Sequence, residues 1–372
     1  MNPATTSAAR FPAAYGNQDQ TFAHAFQILE EAVAQRAFPG ATVAITHTGK
    51  LVALKSVGRF TYEESSPAVT VDSIFDLASV TKVVATTSMA MILYERGLLD
   101  LDMPLAGVLP EFAGEDRRRR EVTFRMLLGH SSGLPAHDKF YLRATSEDEL
   151  LRAAFSVSLK NAPGAHAEYS DVGFILLGLA LERIAEESLD RFYQREVFGP
   201  LGMLHTAFNP PAAWKPQIPP TADDQTFRKR IIQGEVQDEN ASVLGGVAGH
   251  AGLFSTAADI AMFAHALLRG GSPIARPDTL TVFTRREASP PGTSRALGWD
   301  TPSAPSQSGK YFSQGSFGHL GYTGTSLWID PERQLSITLL THRTWPDCAN
   351  QAIREVRPRF YDAVVEALGA AR

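Results

Sequence analysis

Ser79 and Lys82 are the residues of this chain best suited to chemistry. They stand in Ser79-Val80-Thr81-Lys82, between the apolar approach Ile74-Phe75-Asp76-Leu77-Ala78 and a helix-like run from Val83 to Arg96. At a helix start, that spacing puts both side chains on one face. The helix N-terminus adds positive potential and free N–H groups beside the Ser. A hydroxyl, a nearby amine and donors for an oxyanion are what covalent acyl transfer needs. Taken alone, the same residues also read as a Ser N-cap followed by a surface Lys.

Two later segments add polar groups that such a site needs. Glu168-Tyr169-Ser170-Asp171 leads into a helix-like run from Val172. Ser170 or Asp171 would cap that helix, with Tyr169 in the loop before it. Phe317-Gly318-His319-Leu320-Gly321-Tyr322-Thr323-Gly324-Thr325 precedes a β-rich run at Ser326. Glycines there let a substrate backbone lie against a sheet edge. A competing nucleophile is Ser131, in Gly129-His130-Ser131-Ser132-Gly133. That G-x-S-x-G pattern requires a strand before it and a helix after it. Here a helix-like run precedes it and Leu134-Pro135 follows, so Ser131 is the secondary candidate.

The elements that must position these groups follow from periodicity. Residues 1–20 are polar and Pro/Ala-rich, a loose lead-in. Phe22, Phe26, Leu29 and Val33 recur at helical spacing, predicting a helix over about 21–37. The β-rich runs 41–45 and 51–57 flank Thr48-Gly49 and predict a hairpin. From about 85 to 285 the pattern is mostly helical, with helices over 122–129, 146–156, 170–186, 189–197 and 257–269. Gly245 to Gly252 lacks the ending of a phosphate loop and reads as a tight structural loop that could line a cleft. A second hairpin, 326–330 with 335–341, and a final helix over 349–368 close the chain. The fold class is therefore α/β (α+β): one antiparallel sheet flanked by terminal helices, with a large mostly helical insertion. The expected division is 21–75 with 290–372 for the sheet domain and 76–289 for the helical one. The active site would lie in the cleft between them.

Composition narrows the class. The chain has 372 residues, 44% hydrophobic and 20% charged, enough for a sizeable core. Its net charge of -5 argues against nucleic acid as a partner. Arg117 to Arg120 are flanked by acids and read as a solvated loop or helix start. The one cysteine, Cys348, excludes an internal disulfide and reads as a structural thiol near a helix start. The His residues show no metal-ligand spacing, so no metal is expected. No stretch is apolar enough to span a membrane, and no apolar leader opens the chain. A cytoplasmic protein is expected, or a periplasmic or secreted one if a leader was removed.

Together, Ser79-Val80-Thr81-Lys82, Tyr169-Ser170-Asp171 and His319-Leu320-Gly321 resemble the motifs of the serine β-lactamase and DD-peptidase superfamily, in its class C β-lactamase-like branch. Leu127 to Pro135 and Gly252 to Asp259 resemble two further segments of that family, and the resemblance spans roughly 20–370. It implies an acyl-enzyme on Ser79, with Lys82 orienting Ser79 and helping remove its proton. Tyr169 would be a general base, its phenolate favoured by Lys82. The backbone N–H groups of Ser79 and Tyr322 would form the oxyanion hole. Asp171, His319 and Gly321 would contact substrate, His319 binding a carboxylate or relaying a proton. No cofactor is implied. Asp171 stands where the family commonly has Asn, and His319 where β-lactamases have Lys. The implied function is a serine hydrolase for an ester, an amide or a cell-wall muropeptide. Residues 235–252 resemble segments of N-acetylmuramoyl-L-alanine amidases of the superfamily. A small-acyl carboxylesterase, a weak β-lactamase and a non-catalytic penicillin-binding sensor or scaffold are the alternatives.

Overall fold

The computed structural model describes residues 12–369. Residues 1–11 of the expected lead-in lie outside them. Pro12 and Ala14 exchange backbone hydrogen bonds with Leu51, so the rest of that segment runs along the first hairpin.

The strands, in chain order, are β1 (Gly40–His47), β2 (Lys50–Gly58), β3 (Phe75–Asp76), β4 (Ala207–Phe208) and β5 (Ala222–Asp224). They continue with β6 (Arg230–Ile232), β7 (Leu253–Ser255), β8 (Phe317–Leu320), β9 (Ser326–Asp330) and β10 (Leu335–Thr341). Five of them form one sheet in the order β2-β1-β10-β9-β8, antiparallel at every pairing. The two ends of the chain thus share a sheet, with β1 between β2 and β10. Thr48 and Gly49 both take positive φ between β1 and β2, as a two-residue hairpin turn requires.

Alternation of side chains builds two cores on this sheet. Val43, Ile45, Trp328, Ile337 and Leu339 face one side. There they meet Phe26 and Leu29 of the helix Ala23–Ala34, and Phe360 and Val364 of the helix Ile353–Ala367. Ala44, Leu327, Ile329 and Leu340 face the other side and join the main core. The helix Ala257–Leu268 covers that face. With both faces covered, every residue of β10 is buried.

The main core extends into the helical middle of the chain. At its centre lies the helix Asp171–Ala185, in which Val172 to Gly178 are all buried. Three predicted features differ from the structure. The Ser79 segment is not one regular helix. It runs as a 3₁₀ turn, Ala78–Val80, then wide π turns over Lys82–Thr87, then an α-helix, Ser88–Glu95. A second sheet, β3-β7-β4, was not anticipated, because strands of two or three residues are too short to show alternation. Arg119 is not solvated like its neighbours. It is buried and donates to the carbonyls of Phe112, Phe155 and Val157. Among the described residues, no helix is long and apolar enough to cross a membrane.

Candidate active site

Ser79 follows β3 through a turn that the chain must hold by force. Ala78 has φ 46°, a left-handed conformation that costs a non-glycine residue energy. The Asp76 carboxylate accepts the Ala78 N–H at 2.8 Å and the Gln237 N–H at 2.6 Å. Thr323 and Thr325 donate their hydroxyls to the carbonyls of Asp76 and Leu77, each at 2.8 Å. The turn is thereby lashed to the segment between β8 and β9. Burial pushes the Asp76 carboxyl up to about 6.

Lys82 is fully buried, yet its charge is answered on every side. Its Nζ donates to Ser79 Oγ at 3.0 Å, Asp171 Oδ1 at 2.7 Å and the His250 carbonyl at 2.9 Å. Three acceptors match the three protons of an ammonium group. Burial lowers the Lys82 pKa, and the Asp171 carboxylate pulls it back up. The His250 carbonyl comes from the glycine-rich loop. Gly249 presses so closely on the helix Asp171–Ala185 that a Cβ there would lie 2.2 Å from the Phe174 carbonyl oxygen. The His250 ring is held in turn by Asp238, with Nε2 2.9 Å from Oδ1.

Tyr169 lies in the loop before that helix, as expected, and Ser170 is the cap. Ser170 Oγ accepts the Gly173 N–H at 3.0 Å and donates to the Pro135 carbonyl at 2.7 Å. Tyr169 Oη sits 2.7 Å from Ser79 Oγ and 3.1 Å from Asp171 Oδ1. Its ring rests on His130, whose Nδ1 accepts the Ser170 N–H. The segment around His130 is thus a brace for Tyr169. The expected phenolate is corrected here. Burial, and then the neighbouring Asp171 carboxylate, raise the Tyr169 pKa well above its ordinary value, so the resting group is a phenol. Ser131 is buried, follows the helix Phe124–Leu128 rather than a strand, and lies outside the cleft lining. The elbow reading therefore lacks its structural context.

The third motif is carried by β8 and the turn after it. His319 is buried, with Nδ1 2.8 Å from the Leu320 carbonyl. Burial, then the charges of Lys82 and Arg295, hold its pKa well below the ordinary value. His319, expected to bind a carboxylate or relay a proton, is thus held as a neutral imidazole, which weighs against the carboxylate role. Gly321 packs tightly against the turn that leads to Ser79. A Cβ at Gly321 would lie 2.0 Å from Thr325 Oγ1 and 2.5 Å from the Leu77 carbonyl oxygen. Tyr322 stands at the exposed tip of the same turn.

Ser79, Tyr169, Asp171, His319, Gly321 and Tyr322 line one open cleft of about 960 Å³, and Lys82 reaches Ser79 from beneath. The sequence offered no sign of Arg295, which also lines this cleft. Its guanidinium lies 5.6 Å from the centre of the Tyr169 ring and 3.8 Å from Asp300 Oδ2. No motif surrounds Arg295 in the chain, and only the fold brings it to the site. Asp76, Asp238 and His250 lie in segments read from the sequence, but their contacts in the site come only from the fold. Cys348 lies on the cleft's rim in a loop, ahead of the helix that begins at Ile353, and burial raises its thiol pKa.

A family model described as Beta-lactamase matches residues 25–357. An N-acetylmuramyl-L-alanine amidase of Bacillus subtilis (strain 168) is 31% identical over 354 residues, covering 85% of this chain and 80% of the relative. A putative D-alanyl-D-alanine carboxypeptidase of Escherichia coli (strain K12) is 33% identical over 311 residues, covering 75% and 71%. Among solved structures, EstCE1, a hydrolase with promiscuous acyltransferase activity, superposes with a TM-score of 0.75 at 23% identity, covering 93% of this chain and 99% of its own. A penicillin-binding protein homologue from Caulobacter crescentus gives 0.73 at 20% identity, covering 93% and 97%. At those identities the likeness is one of fold. The family match spans nearly the whole chain and the curated relatives exceed 30% identity over most of both partners: the chain belongs to the beta-lactamase family.

Proposed function

We propose that the protein is a serine hydrolase that forms an acyl-enzyme on Ser79 and cleaves an amide or ester bond, with cell-wall muropeptides as its substrates. One observation carries this reading. Ser79 Oγ lies within hydrogen-bond reach of both Lys82 Nζ and Tyr169 Oη, at the floor of an open cleft. In this reading Ser79 Oγ attacks the substrate carbonyl carbon, and its proton passes to Tyr169 Oη. Lys82 steadies the developing alkoxide. The backbone N–H groups of Ser79 and Tyr322 receive the oxyanion. The leaving amine or alcohol takes a proton, and water then releases the acyl group from Ser79. The two-part chain organisation, 76–289 against 21–75 with 290–372, belongs to the same proposal.

The muropeptide assignment is supported by the names of the two curated relatives, an amidase and a putative carboxypeptidase. It is also supported by Arg295. Arg295 is a cation beside the Tyr169 ring in the cleft lining, suited to a peptide carboxylate. The neutral His319 in place of a lysine weighs against strong β-lactamase activity.

The test is intact-protein mass after treatment with a serine-reactive fluorophosphonate, followed by peptide mapping. Turnover of a MurNAc-peptide and of nitrophenyl butyrate is then compared. A single adduct on Ser79 and release of peptide are expected. An adduct on Ser131 would overturn the assignment of the nucleophile. Ester turnover without amide turnover would make the protein a small-acyl esterase. A burst without steady turnover would make it a sensor or scaffold.

A further inference from the structure

We infer that Asp171 is the terminal proton acceptor of a relay that runs from Ser79 through Tyr169. This rests on the acyl-enzyme reading above and assigns Asp171 a role in moving protons rather than in contacting substrate. The argument begins with a count of protons. Tyr169 Oη has two oxygen neighbours, Ser79 Oγ at 2.7 Å and Asp171 Oδ1 at 3.1 Å. A phenol has one proton, and a carboxylate has none to give. Tyr169 is placed to donate that proton either to Ser79 Oγ or to Asp171 Oδ1. When it goes to Asp171, Oη is left to accept the Ser79 proton and both contacts are satisfied. Lys82 leaves that direction open, because its Nζ donates to both Ser79 Oγ and Asp171 Oδ1 and competes for neither proton.

The chain thereby holds a nucleophile, a bridging hydroxyl and a carboxylate in succession, with an ammonium group against both ends. A resting phenol cannot serve as a base unless it gives up its own proton as it accepts another. Burial and Asp171 keep Tyr169 in that phenol form. Asp171 is the acceptor within reach. It is anchored as the first residue of the helix Asp171–Ala185, whose N-terminus favours an anion. An asparagine at this position could accept a hydrogen bond but would be a very poor proton acceptor.

The step balances. As Ser79 Oγ bonds to the carbonyl carbon, its proton moves to Tyr169 Oη and the Tyr169 proton moves to Asp171 Oδ1. The carbonyl π pair goes to the oxyanion. When the intermediate collapses, the scissile bond breaks. The proton on Tyr169 passes to the leaving nitrogen or oxygen, and the Asp171 proton returns to Tyr169. The charged and titratable groups facing Asp171 are Lys82 from beneath, Tyr169 from its own loop, and His137, with Nδ1 3.9 Å from Oδ2. Arg295 faces the pair from across the Tyr169 ring.

The experiment measures the rate of Ser79 labelling by fluorophosphonate and the acylation burst with nitrophenyl butyrate. It uses wild type, Asp171→Asn, Asp171→Gly, Tyr169→Phe and the double variant Asp171→Asn with Tyr169→Phe, each checked for native circular dichroism. Asp171→Asn is expected to slow acylation about 10²- to 10⁴-fold with KM little changed. The double variant should be no slower than the slower single variant, because both act in one relay. Added carboxylates should restore part of the rate in Asp171→Gly in step with their basicity, a dependence that mere replacement of the Lys82 counter-charge would not show. Labelling of Asp171→Asn at the wild-type rate, or losses that multiply in the double variant, would overturn the relay. Absence of Ser79 labelling in the wild type would instead overturn the hydrolase reading on which it rests.

Discussion

Lys82 shows how much one buried charge can organise. With no exposure and three oxygen acceptors, it joins the nucleophile, Asp171 and the glycine-rich loop. Lys82→Met would leave Asp171 without its closest cation. Removing one member of a buried pair costs several kcal/mol, and the partial exposure of Asp171 reduces that to about 2 kcal/mol here. A lowered urea midpoint is expected, together with loss of Ser79 labelling. Lys82→Arg should not restore labelling, since a planar guanidinium cannot reproduce the compact ammonium contacts. A midpoint unchanged in Lys82→Met would show that the pair does not support the fold. Arg295 poses a different question at the same scale. Its charge faces the cleft, so Arg295→Ala should raise KM at least about 10-fold for a substrate bearing a carboxylate. The constants for nitrophenyl butyrate, which has none, should change little. Equal effects on both substrates would assign Arg295 to Tyr169 rather than to specificity.

At the scale of elements, close backbone approach replaces side-chain contact. The His250 carbonyl reaches Lys82 only because Gly249 and Gly178 let loop and helix touch. In Gly249→Ala the new Cβ meets the helix backbone at Phe174 and Gly178, so the loop must move. A cost of about 1–3 kcal/mol is expected, the range for overpacking. Turnover should fall further than the stability loss explains, because the carbonyl leaves Lys82. Thermal melts paired with labelling rates check this, and a variant with normal labelling would detach the loop from the site. Such elements were also where sequence reading reached its limit. The two hairpins and the terminal helices were legible because their periodicity runs over many residues. β3, β7 and β4 were not, since two or three residues carry no period. β8 was read as a glycine-rich approach because Gly318 interrupts the alternation of a four-residue strand and Gly321 follows it at once. In the site, the residues within recognisable motifs were found and now line or underlie one cleft. Asp76, Asp238 and His250 lie within segments singled out in the sequence, but their partners in the site, like those of Arg295, are set by the fold rather than by spacing. The ionisation states of Tyr169 and His319 depend on burial and neighbours, which spacing alone cannot supply.

The whole molecule carries its polar groups in ways that make it sensitive to acid. His130, His319 and His342 are all buried and all held neutral. For His342 the main cause is burial, and its pKa falls to about 4 while its Nε2 lies 2.8 Å from the Phe60 carbonyl. A histidine with a depressed folded pKa stabilises the protein fully above its unfolded value near 6.5. That stability is lost as pH falls from there toward the folded value, because the unfolded chain takes up the proton first. Asp76 works in the opposite direction. Its raised pKa lets the folded state bind a proton first, adding stability as pH falls from about 6 toward its unfolded value near 3.8. Glu182, Glu239 and Asp362 are raised by burial in the same way, while Asp224 and Asp238 are held low and side with the histidines, so stability should still fall on acidification. His342 alone should contribute a loss on the order of 2–3 kcal/mol by pH 4.5. Urea midpoints at pH 7 and pH 4.5 measure it. His342→Gln, which keeps a donor for Phe60 but cannot titrate, should narrow the gap between the two pH values. Its stability at pH 7 should change less than at pH 4.5. An identical gap in wild type and variant would mean that His342 is not what acid attacks, and would leave His130 and His319, beside the reacting atoms, to account for the loss.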